Sequence, residues 1–294
     1  MSSLVDPRRN GPSADPAAAA VRLKASFDDV YRHPDPRPYF RVLGDLGYVE
    51  AAHMHRVVDA LLGHFASPAT VLDLCCSYGV LGVLLRTDLT YGDLAARYRA
   101  PAVATWSTQR LVDEDRDYLA RHRRAGSPVV HGVDVSEPAV AYARQTTAIA
   151  DGYADDLEAR APSAMLRRVL SSVDVVTVAG GIGYVTERTF DRLLSSAGST
   201  PPWILALVVR TYPYDRIASC LADHGLATER LTRRTFARRR FVDAAEQRAV
   251  LSHLEALGID PAGREADGWY HADLYVSRPV SDARCPIDSL LAGL

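Results

Sequence analysis

Four short apolar runs, each followed by a turn and then by a helical pattern, limit what this chain can fold into. They are residues 69–74, 128–135, 172–179 and 203–210. A run of that length bounded by turn residues fits a strand buried on both faces, and such strands belong to parallel sheets covered by helices. Helical spacing follows the runs at 79–85, 137–150, 186–194 and 214–223. Ser136 is placed to cap the second of these with Pro138 in its first turn, and Gly225 closes the last. Two further strands are expected at 227–232 and 272–277, with a helix at 244–257 between them. The alternation predicts a doubly wound α/β sheet, with a ligand at the carboxyl ends of its strands.

The flanks divide the chain further. Residues 1–20 are rich in Pro, Ala, Ser and Gly without periodicity, which predicts a mobile tail. Residues 21–66 predict an N-terminal helical cap. In it Val21, Leu23, Phe27, Val30 and Tyr31 recur at helical spacing, and Val57, Val58, Leu61 and Leu62 face inward from a helix at 51–65. Between these lies a segment stiffened by Pro34, Pro36 and Pro38, which reads either as a lid strap carrying Tyr31, Arg37 and Tyr39 or as a rigid linker. Residues 67–294 form the main domain, interrupted by a polar helical insertion at 88–127 that is expected to cover the site.

Composition narrows the partners. The net charge of −2 supplies no bulk positive field for a polyanion. The arginines 233, 234, 238, 239 and 240 fit a solvated edge better than an RNA-contacting patch. No apolar run approaches the ~20 residues of a membrane span, and the first ten residues do not resemble a secretory signal. Cys75, Cys76, Cys220 and Cys285 offer no C-x-x-C pair and no zinc spacing, which predicts free thiols in a reduced, cytoplasmic protein without a metal. The expected partner is a small molecule, with neither nucleic acid nor membrane involved, and the oligomeric state is left open.

The turn after the first run carries the chemistry. A sharp strand-to-helix turn brings bare backbone against a ligand, and small residues allow the approach. Here it reads Asp73-Leu74-Cys75-Cys76-Ser77-Tyr78-Gly79. It resembles motif I of the class I S-adenosylmethionine (SAM)-dependent methyltransferases, an acidic residue followed by G-x-G-x-G. Asp73 falls on the acid and Gly79 on the third glycine, while Cys75 and Ser77 stand where the first two glycines would be. Gly132-Val133-Asp134-Val135-Ser136, with Glu137-Pro138 after it, resembles the family's second strand and its continuation. The fold implied is a Rossmann-like doubly wound sheet.

The resemblance implies SAM as cofactor and distributes roles. Asp73, Cys75, Ser77 and Gly79 would cradle it, and Asp134 with Val135 would receive the ribose. Asp155 or Asp156 would lie near the adenine amino group, although either also reads as a helix cap. Gly180-Gly181-Ile182-Gly183-Tyr184 resembles motif IV, behind the methyl donor. A dinucleotide-binding domain instead wants G-x-G-x-x-G with an acid about twenty residues later, and neither spacing holds.

Methyl transfer is an in-line displacement helped by positioning and by exclusion of water. The 180–184 loop is not of the Asn-Pro-Pro-Tyr type, no Pro-Cys dipeptide occurs, and no acidic cluster follows the third run. Nucleobase and catechol acceptors are thereby disfavoured. The expectation is methyl transfer to a small-molecule acceptor in specialised biosynthesis, with Tyr184 and Thr211 as catalytic candidates and Tyr212, Tyr142 and Thr147 near the substrate. Two alternatives stay open. One is SAM-consuming cyclisation to azetidine-2-carboxylate with release of methylthioadenosine, or aminocarboxypropyl transfer, using Tyr142, Thr147, Tyr184 and Thr211. The other is SAM binding without catalysis, with Cys75 crowding the methionine. Arg210 reads as a strand-end partner of a carboxylate, His131 as a satisfied core histidine, and His271 has no identifiable partner.

Overall fold

A computed structural model describes residues 25, 27–65 and 67–294; the tail expected at 1–20 and the start of the first helical pattern lie outside them. The sheet is built from β1 (Thr70–Leu74), β2 (Val129–Val133), β3 (Asp151–Tyr153), β4 (Val175–Ala179), β5 (Trp203–Val209), β6 (Leu226–Arg230), β7 (Phe236–Arg240) and β8 (Trp269–Pro279). Its order is β3-β2-β1-β4-β5-β8-β6. The first five strands are parallel, and every residue of β5 is buried, as a strand covered on both faces requires. β8 runs antiparallel between β5 and β6. β7 follows β6 along the same edge of β8, with Arg230 opposite Tyr275 and Phe236 opposite Ala272. This is the Rossmann-like doubly wound arrangement. From β1 the chain winds outward through β2 and β3, then returns to start again at β4, and a crevice opens at that switch point.

Period-2 alternation sends successive residues of β1 to opposite cores. Val71 joins the cluster formed with helices Glu50–Leu61, Val80–Arg86 and Glu137–Gln145, whereas Leu72 and Leu74 join that of helices Glu187–Leu194, Asp215–Asp223 and Ala244–Ala256. Burial of these apolar faces on both sides of the sheet is the main stabilising contribution.

Two strands escape the apolar pattern. The helix expected over 137–150 stops at Gln145, where the Thr146 hydroxyl bonds back to the Tyr142 carbonyl at 2.9 Å and Thr147 takes a φ of 60°. That turn releases the chain into β3. β7 carries Arg238 and Arg239, only 5% and 1% exposed, so the solvated basic edge expected there is corrected to a buried strand. Arg239 is bonded to both carboxylate oxygens of Glu246, at 2.9 and 2.6 Å, and Arg238 is paired with Glu50. Charge at buried positions hid the strand from any reading based on hydrophobicity.

The insertion forms helices Tyr91–Arg99, Pro101–Ala104 and Thr108–Arg121. It does not cover the site as expected, since none of its residues lines the cavity. It grips the cap instead. Arg37 bonds Asp35 at 2.8 and 2.6 Å and donates to the carbonyls of Val103 and Trp106, while Thr108 donates to Asp35 at 2.8 Å. Phe40, on helix Arg37–Asp45, stacks on Tyr98 with ring centroids 4.7 Å apart.

Candidate functional site

The loop after β1 has an unusual backbone. Cys75, Ser77 and Gly79 all have left-handed φ, at 62°, 51° and 74°. Only glycine adopts this conformation freely; for other residues it costs on the order of 1–3 kcal/mol. The alternating positions that carry Cys, Ser and Gly therefore share the conformation that three glycines would take. The added side chains are accommodated by glycines on neighbouring strands. A Cβ on Gly181 would lie 2.6 Å from Cys75 Sγ, and one on Gly132 would lie 2.6 Å from Cys76 Sγ.

Asp134, just after β2, locks this loop. Its Oδ2 accepts from the Ser77 N–H at 2.9 Å and its Oδ1 from the Ser136 N–H at 2.9 Å. Burial raises its pKa against the pull of these two bonds. Asp73, inside β1, accepts from the Thr177 hydroxyl at 2.9 Å, and burial pushes its pKa up to about 7. On the far side, Asp155 accepts from the Ser163 N–H, and Asp156 from those of Glu158 and Ala159. Glu158 in turn binds Thr186 and Thr189, tying this loop to the one after β4.

A cavity of about 720 Å³ lies at the carboxyl ends of β1, β2 and β4. The cap closes over it because two side chains of the site hold its backbone. The Tyr78 hydroxyl bonds the carbonyls of Val30 and His33 at 2.7 and 2.9 Å, and Ser136 Oγ donates to the Tyr31 carbonyl at 2.5 Å. Tyr31, Tyr39 and Tyr48 thereby form an aromatic wall, with Tyr184 at the mouth, 46% exposed. Burial raises the pKa of all four phenols, so they stay neutral at physiological pH.

The residues singled out in the sequence divide sharply. Lining the cavity are Asp73, Cys75, Ser77, Asp134 and Val135 from the first two loops. Asp155, Asp156, Gly180, Gly181 and Tyr184 join them from later loops, with Tyr31 and Tyr39 from the cap. Gly79 shapes the turn without reaching the cavity, its φ and the Ala143 methyl 3.0 Å from its absent Cβ both requiring glycine.

Five of the candidates stand elsewhere. Thr211 is fully buried against the Tyr270 hydroxyl at 2.9 Å, and Tyr212 is packed in the core. Tyr142 shares the buried Asp115 carboxylate with Tyr98, and Thr147 sits beside Arg123 in the turn before β3. Arg37 is consumed by Asp35 and the insertion.

Of the remaining candidates, Arg210 pairs with Glu265 at 2.6 Å, as expected. His271 does have a partner, Thr235 Oγ1 at 2.9 Å, and burial beside Arg210 and Arg264 lowers its pKa to about 4. His131 stacks on Tyr153 but keeps a buried Nδ1 with no partner among the described residues, so it is not fully satisfied. Away from the cavity, Asp191, Cys220 and His224 bring ligand atoms within 4.8 Å of one another, a grouping across two helices that spacing in sequence does not reveal. The sequence reading missed Tyr48, Tyr78, Glu158, Glu50 and Arg238. A carboxylate opening a helix and a charged residue in a strand are their only local signals.

No family model matches the chain, and no curated protein matches it. Among solved structures it is similar to magnesium protoporphyrin IX methyltransferase (ChlM) from Synechocystis PCC 6803, with 13% identity over 92% of this chain and 100% of that one, at a TM-score of 0.43. It is also similar to the plantazolicin methyltransferase BamL, with 10% identity, coverage of 90% and 96%, and a TM-score of 0.44. A third is the YcgJ protein from Bacillus subtilis, with 10% identity, coverage of 77% and 98%, and a TM-score of 0.43. Among the described residues no helix is long and apolar enough to cross a membrane.

Proposed function

We propose that the cavity binds SAM and that the protein transfers the methyl group to a small-molecule acceptor. One observation carries this reading. The left-handed positions 75, 77 and 79 meet the Asp134 carboxylate, through the Ser77 N–H, at the switch point of a doubly wound sheet. The donor set fits the cofactor. Each Asp134 oxygen takes one backbone N–H and has a further lone pair for a ribose hydroxyl. Asp155 and Asp156, which line the cavity, offer acceptors for an adenine amino group, and Val135, 71% exposed, offers an apolar contact to a base.

SAM, when bound, supplies an electrophilic methyl group on a sulfonium. The residues of this chain then position and exclude water rather than exchange protons. Tyr31, Tyr39 and Tyr48 wall the cavity, and all three phenols are held neutral by burial. Tyr184 at the mouth is placed to hydrogen-bond an acceptor, which favours acceptors that are nucleophilic without a strong base. The chain's charge of −2 supports a small molecule over a nucleic acid, and its free cysteines fit a reduced cytoplasmic setting. The cyclase alternative drew on Tyr142, Thr147 and Thr211, which lie off the cavity, and retains only Tyr184.

Incubation of the purified protein with SAM, followed by mass spectrometry, tests the proposal. S-adenosylhomocysteine formed on addition of a metabolite pool is the expected result. Methylthioadenosine released without an acceptor, or absence of SAM binding, overturns it.

A further inference from the structure

Two buried charges pack against the cavity wall at Gly180 and Tyr48. Glu50, the first residue of helix Glu50–Leu61, and Arg238, on β7, are 1% and 5% exposed. Arg238 Nε donates to Glu50 Oε2 at 2.5 Å, and Nη2 reaches the Gly180 carbonyl at 3.5 Å. A Cβ on Gly180 would stand 2.7 Å from the Tyr48 hydroxyl, 2.9 Å from Glu50 Oε2 and 3.2 Å from Arg238 Nη2. Gly180 and Tyr48 both line the cavity, and the guanidinium lies 5.7 Å from the centroid of the Tyr48 ring.

Each member of the pair keeps one buried atom without a hydrogen-bond partner among the described residues, Glu50 Oε1 and Arg238 Nη1. One is an acceptor and the other a donor. Leaving such atoms of charged groups unused in the interior is costly, and native proteins rarely do so without a functional reason. Together they are complementary to an α-amino acid, whose ammonium matches the first and whose carboxylate matches the second. Among the described residues the rest of the lining is acidic: Asp28, Glu137, Asp155, Asp156 and Glu158 are accompanied by one arginine, the exposed Arg32. A carboxylate entering this cavity therefore needs a cation, and Arg238 is buried beside it, in contact with Gly180 and Tyr48 of the lining.

If the nucleoside end lies at Asp134, Asp155 and Asp156, a ligand spanning the switch point brings its other end to Gly180, Tyr48 and Ala51. We infer that the Glu50–Arg238 pair recognises the α-amino acid end of the cofactor, Arg238 Nη1 donating to the carboxylate and Glu50 Oε1 accepting from the ammonium. Both atoms are covered in this structure and neither residue lines the cavity, whereas Tyr48 lines it and packs against the guanidinium, so docking of the amino acid requires the wall at Tyr48 to move. This rests on the cofactor reading above.

Calorimetry with three ligands tests it: SAM, decarboxylated SAM and 5′-methylthioadenosine, which lacks the amino acid portion. The wild-type protein is expected to bind SAM at least about tenfold more tightly than either of the others. Arg238→Met is expected to erase that preference while holding methylthioadenosine affinity within about twofold. Equal wild-type affinity for all three overturns the inference, as does an Arg238→Met variant that weakens all three alike. If that variant does not fold, the wild-type series decides by itself. Failure of the wild-type protein to bind any of the three, methylthioadenosine included, overturns the cofactor reading and this inference with it.

Discussion

Cys75 Sγ occupies the space that a side chain on Gly181 would need, 2.6 Å from where its Cβ would be. Two loops from different strands have thus exchanged bulk, the larger residue sitting in the turn after β1 and the glycine at the end of β4. The bond pattern agrees, since the Cys75 N–H is held by the Val133 carbonyl at 2.8 Å and cannot retreat. Gly181→Ala is expected to destabilise the fold by about 1–3 kcal/mol through overpacking. Adding Cys75→Gly is expected to recover most of that loss. Urea denaturation of the two single variants and the double variant gives the coupling energy, and simple additivity would contradict the exchange.

Ser77 is the loop residue with least reason to be what it is. It holds a φ of 51° and its buried hydroxyl has no partner among the described residues. Ser77→Gly removes the strain and the unused hydroxyl, at a smaller entropic cost in the unfolded chain. A gain of about 1 kcal/mol in unfolding free energy is expected, with SAM affinity unchanged or improved. A loss of stability in chemical denaturation would contradict this.

Tyr78 joins the loop after β1 to the cap through its hydroxyl on Val30 and His33. Tyr78→Phe leaves the ring packed and removes those bonds. It is expected to cost about 1 kcal/mol and to speed amide exchange around residues 30–33. Faster dissociation of SAM in stopped-flow measurements is expected too. Unchanged exchange in that segment would show that Ser136 alone secures it.

Asp73 makes stability depend on pH. Its folded pKa is raised to about 7, against ~3.9 in an unfolded chain, so the folded state binds the proton more tightly. Its contribution is therefore fully present below about pH 4 and is lost as pH rises through about 7. Asp73→Asn keeps an acceptor for Thr177 and does not titrate. The wild type is expected to lose up to about 4 kcal/mol relative to this variant between pH 4 and 8, at ~1.36 kcal/mol per pKa unit. A pH-independent difference in unfolding free energy would refute it.

Asp134→Ala removes the acceptor of the Ser77 and Ser136 N–H groups as well as the proposed ribose contact. SAM and methylthioadenosine are both expected to bind at least about tenfold more weakly, since the ribose is common to them. Retained affinity for either, measured by calorimetry, would move the ribose elsewhere.

The sequence by itself determined where β1, β2, β4 and β5 lie along the chain, the placement of the turn at 73–79, and the acid at Asp134 closing the second strand. These follow from local signals: short apolar runs, a helix cap, small residues where backbone must come close. It also predicted that residues 88–127 would be helical, and they are. What only the tertiary structure decided depends on contacts between distant segments. The insertion's task is to hold Arg37 and the cap, which no local pattern encodes. β7 reads as a solvated basic run because its buried arginines are neutralised by Glu50 and Glu246, from two other helices. Cys75 and Ser77 depart from a glycine motif in sequence yet keep its backbone, because Gly181 and the Asp134 carboxylate, more than 50 residues away, fix their conformation. Periodicity records which face of a segment is buried; it does not record which charge or which glycine waits on the other side.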